Sequence, residues 1–519
     1  MAEKRKIYYI CYIQFYTIMT KSYRFFFVLF FILFSKILTS QSLVATQDNY
    51  AGSATMSMNP ALMNSSNVYF DFSLANVGLS IFNDYAYIEG RDMSSFMFSK
   101  EHMVPAYNMD GAEYNFLIYD NPEMKPNNIY EFLDVNVLRF MLNLDGRQSL
   151  GLSFNMRVYT NGIDLPHEIP DIVLKGLEND GFNGRYVSSD ASISTMEWAE
   201  VAMSYSRKLY DRYQSRVDVG VGVKYLLGYS AAVANINNLD YEIFGEDSIV
   251  VNRFDADLAY SLPINYNENF VSGSVFNSSL VRGNGLAFDL GFTYAYKKSV
   301  SNDRRILTPC MQPKLNYLWK LGVSLMDVGF ISFKNNAIDN SFDASEEMLF
   351  DRYVFDDVKS FGDMVGFMSA MYYDGDSLAS VVADNFKVGL PTTLRLQFDY
   401  NIKDNYYVNA TVVQPLKLMK YSVRAVPQLM VEARYESDLY GFSLPLTLRD
   451  YSDFLIGASA RMAFVTVGTQ NIASYLGFGK VNGMDIFVSV KFNLVKGKCA
   501  HDRYDACWSS DFGNKKYRR

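Results

Sequence analysis

The feature that most constrains this chain is a period of two, held over unusually long runs. Val217, Val219, Val221, Val223 and Tyr225 alternate with Arg216, Asp218, Gly220, Gly222 and Lys224. The same pattern recurs over 150–158, 286–294, 394–400 and 484–494, as in Leu286, Phe288, Leu290 and Phe292 against Ala287, Asp289 and Gly291. Strict alternation describes a strand with one apolar face. Ordinary strands average about five or six residues. These runs reach about ten, the length a tilted strand needs to cross an outer membrane. The second face is polar, charged or glycine. A soluble sandwich also alternates, but its strands are shorter and its polar face meets bulk water. A transmembrane barrel turns the apolar face to lipid and the polar face to the lumen.

The reading is therefore all-β: a transmembrane antiparallel up-and-down β-barrel over 67–494, of about 14 strands. They are placed at 68–80, 134–144, 149–160, 197–209, 216–235, 250–263, 285–297, 314–333, 392–402, 405–415, 425–436, 439–449, 453–468 and 483–494. An even count suits a bacterial single-chain barrel. Asp145-Gly146 is a hairpin cue, and Asp404-Asn405 and Ser437-Asp438 serve similarly. Aromatic residues make up 16% of the chain, with 39 Tyr and 39 Phe. Tyr159, Tyr294, Tyr296, Tyr400, Tyr406, Tyr435 and Tyr440 fall near strand ends, where interfacial girdles lie.

The connections are less regular. Residues 334–391 are long for a structureless connection. Phe350, Phe361, Met364, Val365, Phe367 and Met368 point to one or two amphipathic helices there, and Ile169, Ile172, Val173 and Leu177 to another over 164–179. With both barrel ends periplasmic, 81–133, 161–196, 236–249 and 298–313 face outward and 334–391 faces the periplasm. That parity puts the short turns 402–405 and 437–439 outside, against the habit of such barrels. One strand missed or added between 334 and 391 exchanges the sides.

Residues 1–40 read as a signal peptide: Lys21 and Arg24, an apolar stretch Phe25–Phe34, then Ser40 at the cleavage point. Met19 is an alternative start. Mass spectrometry should find Gln41 first. No later apolar run approaches the ~18 residues of a membrane helix. The net charge of −8 disfavours a nucleic-acid partner. Residues 495–519 form a polar, basic tail carrying Cys499 and Cys507, which an oxidising periplasm could bridge or leave as thiols.

Nothing points to catalysis, a cofactor or a metal site. The three histidines are His102, His167 and His501, and no Ser-His-Asp set, HExxH, phosphate loop or CxxC is present. The inward positions carry both signs: Arg157, Lys224, Arg395, Arg434, Arg461 and Lys491 against Asp71, Glu200, Asp218, Asp289, Asp399 and Glu432. They either line a polar passage or pair and close it. Pairing is the preferred reading, because charges in a confined interior seek partners.

Residues 47–52 (QDNYAG) and 58–62 (MNPAL) precede the first strand. This segment resembles the N-termini of FadL-type fatty-acid transporters and related Bacteroidota barrels, as do 285–294, 320–329 and 390–399. In their order these segments most resemble a Bacteroidota outer-membrane family of unknown function with a FadL-like barrel. The final strand, with Phe492, resembles the signal read by the barrel-assembly machinery. The resemblance implies fourteen strands, outer-membrane lipid as surroundings, a hydrophobic ligand, and residues 41–66 in the lumen as a hatch around Asn59, Pro60 and Ala61. A mobile periplasmic tail is the alternative for that segment. Three functions follow: a channel for hydrophobic or small solutes, a structural or assembly partner like the PorV or PorP/SprF barrels of secretion and gliding complexes, or, least favoured, a surface enzyme.

Overall fold

The computed structural model describes residues 44–90, 118–120, 126–167, 184–244, 248–267, 280–299, 312–351 and 360–496. The alternating runs form the wall of one closed barrel. Its strands are β1 (Val68–Asn83), β2 (Asn127–Asn143), β3 (Gln148–Leu165), β4 (Gly184–Arg212), β5 (Ser215–Phe244), β6 (Gly283–Lys297) and β7 (Tyr317–Phe333). The second half contributes β8 (Thr393–Lys403), β9 (Tyr406–Pro415), β10 (Gln428–Glu436), β11 (Tyr440–Arg449), β12 (Ala458–Met462), β13 (Val465–Thr469) and β14 (Gly483–Val495). Each pairs antiparallel with the next, and β14 returns to β1, with Phe72 opposite Phe492. The ring has fourteen strands. Closure leaves no edge, so the wall can meet hydrocarbon with its backbone satisfied.

Burial follows the alternation. On β6, Leu286 and Leu290 are each 53% exposed while Ala287 and Asp289 are buried. Leu444 of β11 and Met203 of β4 also point outward, each 61% exposed. A continuous apolar surface on this scale, far above the few hundred Å² of a soluble monomer, is what lipid covers.

The count of fourteen holds, but two assignments exchange. The run 453–468 is not one strand: Asp453–Ile456 and β12 lead to a turn at Ala463 (φ 50°), and β13 returns. The run 250–263 does not cross the wall. As Ser248–Ser261 it pairs with residues 231–244 of β5, while β6 takes residues 215–228. β4 and β5, of 29 and 30 residues, exceed a membrane crossing about threefold, so their far halves stand clear of the barrel. Ile338–Ala344, Met348–Asp351 and Val381–Ala383 extend this projection.

That exchange also settles the parity. The end carrying residues 67 and 496 holds the tight turns 144–147, 213–214, 404–405, 437–439 and 463–464, together with residues 298–299 and 312–316. Of 334–391, residues 334–351 and 360–391 lie at the opposite, far end, not with the barrel's termini, and of 298–313, residues 298–299 and 312–313 lie at the terminal end, not the far one. Short turns and chain ends share one side, as outer-membrane barrels arrange them.

In 334–391, Phe361–Tyr372 is helical, started by Ser360, whose hydroxyl accepts from the Asp363 amide at 3.1 Å. Phe350 is on a strand instead. Of the helix expected over 164–179, residues 164–165 belong to β3 and 168–179 lie outside the described residues. The signal segment, His102, His501, Cys499 and Cys507 also lie outside them.

Candidate functional site: the plugged lumen

Residues 44–66 run inside the barrel at its terminal end as three short helical turns, Val44–Gln47, Gly52–Ser57 and Leu62–Ser65. Glycines on the inward face make room for them. A Cβ at Gly220 of β5 would collide with the backbone of Pro60 and Ala61. One at Gly291 of β6 would strike Asn59 and Pro60, and one at Gly151 of β3 would strike Met56 and Met63. The alternating glycines seen in the sequence are thus a seat for backbone.

Asn59, fully buried, is the pin of this seat. Its Nδ2 donates to the carbonyls of Phe292 and Val323, at 3.2 and 3.3 Å, on adjoining wall strands. Its Oδ1 accepts from the Ala61 amide at 3.0 Å, a local turn typical of Asn. Pro60 brings no N–H that burial would strand. Ala61 offers its carbonyl to Ser206 Oγ at 3.2 Å.

Around the seat the inward charges meet partners, some charged and some neutral. Asp48 of the hatch accepts from Arg461 at 2.7 Å, and Lys491 donates to the Tyr50 carbonyl at 2.9 Å. Asn49 Nδ2 donates to Glu436 and to the Tyr317 hydroxyl, both at 2.8 Å. Tyr317 in turn donates to Asp399 at 2.7 Å. Arg434 lies 2.9 Å from Asp399, 2.9 Å from Glu436 and 3.7 Å from Glu432. Asn64 donates to Asp218 at 2.7 Å, and Arg216 pairs with the same carboxylate at 2.7 Å. Ser53 donates to Asp71.

A second network sits farther in. Arg157 reaches Asp327 at 3.1 Å, Asp134 at 3.5 Å and Glu200 at 3.6 Å. Lys224 bridges Asp327 and Asp289, the latter at 2.9 Å. Arg395 donates to the carbonyl of Ser57 in the hatch. Of the twelve inward charges expected, eleven are buried and Arg395 is half-buried. Sequence reasoning missed Asp48, Asp134, Arg216, Lys320, Asp327 and Glu436. Asp327 sits at φ 58° on a bulge of β7, which breaks the alternation that would have shown it.

The far end is closed by another segment. Residues 416–427 form a strap across the mouth. Gly389 donates to the Tyr421 carbonyl at 2.9 Å on one side, and the Arg424 amide donates to Asn161 Oδ1 at 2.7 Å on the other. Val426 packs with Phe82, Tyr130 and Ile163, and Tyr421 and Val423 join a cluster with Trp198, Ile331 and Phe386. Between strap and hatch lies a chamber of about 110 Å³, bordered by Thr46 and Ser57 below, Ala425 and Val426 above, and Arg157, Tyr159, Arg395 and Phe487 on the wall. Its contacts suit a small solute with an apolar body and a polar end. Among the described residues no group of acids, His or Cys is arranged to hold a metal.

The chain is similar in fold to solved barrels. The toluene transporter TodX of P. putida matches at 9% identity and TM-score 0.35, covering 86% of this chain and 95% of its own. A Pseudomonas aeruginosa FadL homologue matches at 8% identity and TM-score 0.21, over 88% and 99% of the two chains. The translocator domain of the autotransporter NalP from Neisseria meningitidis matches at 7% and 0.27, over 82% and 88%. No curated protein matches the sequence. Residues 60–470, most of the chain and most of the barrel, match the family described as Family of unknown function (DUF5723), and the chain belongs to that family.

Proposed function

We propose that this protein is an outer-membrane channel for hydrophobic or small solutes, held shut at rest by its N-terminal hatch. The observation that carries the reading is the chamber between two segments, 44–66 and 416–427, neither of which is part of the hydrogen-bonded wall. The hatch is held on the wall through side-chain contacts, and the strap adds a few backbone bonds at Gly389 and Thr392 outside the barrel ladders; either can leave without opening the ring. A protein built only to stabilise a membrane needs no such separable fillings. Deleting residues 41–66 and measuring solute flux into liposomes tests it. Flux should rise, and unchanged flux through a folded barrel counts against a hatch.

A second reading is a structural or assembly partner of a larger outer-membrane complex. What favours it is the far-end projection, where Val187, Leu349, Leu378 and Val382 are exposed apolar side chains on polar surroundings. Affinity purification that returns only the barrel and assembly factors counts against this reading.

A further inference from the structure

The wall has one place where a strand is replaced. β13 ends at Thr469, and beyond it Asp453–Ile456 and residues 483–486 of β14 face each other across a gap. Asp453–Ile456 pairs with β11, and residues 483–486 pair with β1; no described strand fills the space between. The chain 470–482 fills it with the helical turn Ile472–Tyr475. Residues 479–482 are tied to the far end, where Lys480–Val481 pairs with Ile88 and Glu89 and Gly90 N donates to the Gly479 carbonyl at 2.8 Å; residues 470–478 are held chiefly at Asp485. Gln470 N donates to Asp485 Oδ2 at 2.7 Å, the Tyr475 hydroxyl donates to the Asp485 carbonyl at 2.8 Å, and Asn471 caps the turn.

Three hollows meet at this filler. A far-end surface pocket of about 400 Å³ is bordered by Asn471 and Ser474, with Tyr87, Phe478, Asp453 and Lys480 around it. The lumenal chamber is bordered by Gln470 and Asp485. A membrane-facing hollow is bordered by Ile472, Tyr475 and Leu476. Resting on the channel reading above, we infer that the surface pocket is the solute's entrance site and that 470–478 is the partition between it and the chamber. The pocket suits a small amphipathic solute: Phe478, Leu455 and Ile456 offer apolar surface, and its polar side is the Lys480 ammonium over the Tyr87 ring and the Asp453 carboxylate that accepts from Asn482. Displacing the partition breaks no wall pairing, because the strands beside it are held from their other sides. The strap and the hatch then serve as separate closures of the same chamber.

The test places a thiol in the chamber, Ser80→Cys, with Cys11, Cys310, Cys499 and Cys507 changed to serine. The purified full-length protein in lipid nanodiscs is treated with a small polar maleimide. Two partition variants are compared: glycine and serine throughout 471–478, and Tyr475→Phe, which removes one hydroxyl. The first should label faster by on the order of tenfold or more, and the second by about two- to tenfold, the worth of one hydrogen bond. Heat-modifiable gel migration verifies the closed barrel, and Tyr475→Phe keeps the test alive should the larger replacement not fold. Unchanged labelling in Tyr475→Phe, with the same thiol readily labelled after hatch deletion, overturns the partition. A hatch deletion that leaves flux unchanged overturns the channel reading instead.

Discussion

Glycine-to-alanine substitution in the hatch seat gives the sharpest prediction. Gly220 and Gly291 face the lumen on neighbouring strands, and a Cβ on either meets hatch backbone or the pinned Asn59 side chain, not the free end of a flexible group. The hatch must shift, because the wall is tied on both sides by ladder hydrogen bonds. Overpacking of this kind costs roughly 1–3 kcal/mol. Applied to the seated state alone, that raises the unseated population by about 5- to 150-fold. Gly220→Ala and Gly291→Ala should each raise liposome solute flux, and raise protease cleavage within 44–66, by a factor in that range. The pair should act less than additively, since one small shift of the hatch within its seat eases both neighbouring collisions. Gly366→Ala, on the far-end helix where a Cβ finds ordinary contact, is the control and should change nothing. If both seat variants fold, and neither flux nor cleavage moves, the hatch is not held by this fit and the reasoning is wrong.

Other outcomes follow from the same geometry. Arg434→Met removes the one guanidinium shared by Asp399, Glu436 and Glu432; it should destabilise the barrel by about 3–5 kcal/mol, read as a lower midpoint of heat-modifiable migration. Leu290→Arg places a charge on the lipid face and should cost about 2–4 kcal/mol if that position is near the bilayer midplane; folding yield into lipid vesicles reads it, and an undiminished yield would argue that β6 does not face hydrocarbon there. At the far end, burial pushes the Asp257 carboxyl up, but hydrogen bonds from Lys420, Ser341 and Asn237 outweigh it and hold the group below its usual range. Its contribution is therefore present above the unfolded carboxylate pKa of about 4 and fades as pH falls through the lower folded value. Protection factors in 416–427, taken as exchange rates corrected for the intrinsic pH dependence of amide exchange, should fall at pH 3 relative to pH 6, and in Asp257→Asn this extra pH sensitivity should shrink.

How far the sequence could be read is clearest at particular residues. Alternation fixes which face a residue takes, so Asp218, Lys224 and Asp289 are found from period two alone. It does not say what the strand pairs with. Residues 250–261 alternate in the same way whether they cross a bilayer or stand above it on the extended half of β5. The turn at Ala463 carries no Gly, Asn, Asp or Pro to announce it; its left-handed backbone is imposed by the pairing of β12 with β13. The strap was invisible because Leu416, Met419, Tyr421, Val423 and Val426 look like strand residues. Tyr421, Val423 and Val426 are apolar because they pack across a barrel mouth, a surface that exists only after the ring closes. The lumenal position of 44–66 was legible in composition, since Gly, Ser, Asn and Pro are the residues that can lie against a wall of glycines and carbonyls.

The most direct measurement is a high-resolution density map of the purified protein in lipid. The account predicts a continuous fourteen-strand ring with residues 44–66 inside it, Asn59 against the carbonyls of Phe292 and Val323, and the apolar belt in the bilayer. An empty lumen with the N-terminal segment outside the barrel, or the valine and leucine rows packed between two stacked sheets, would contradict it.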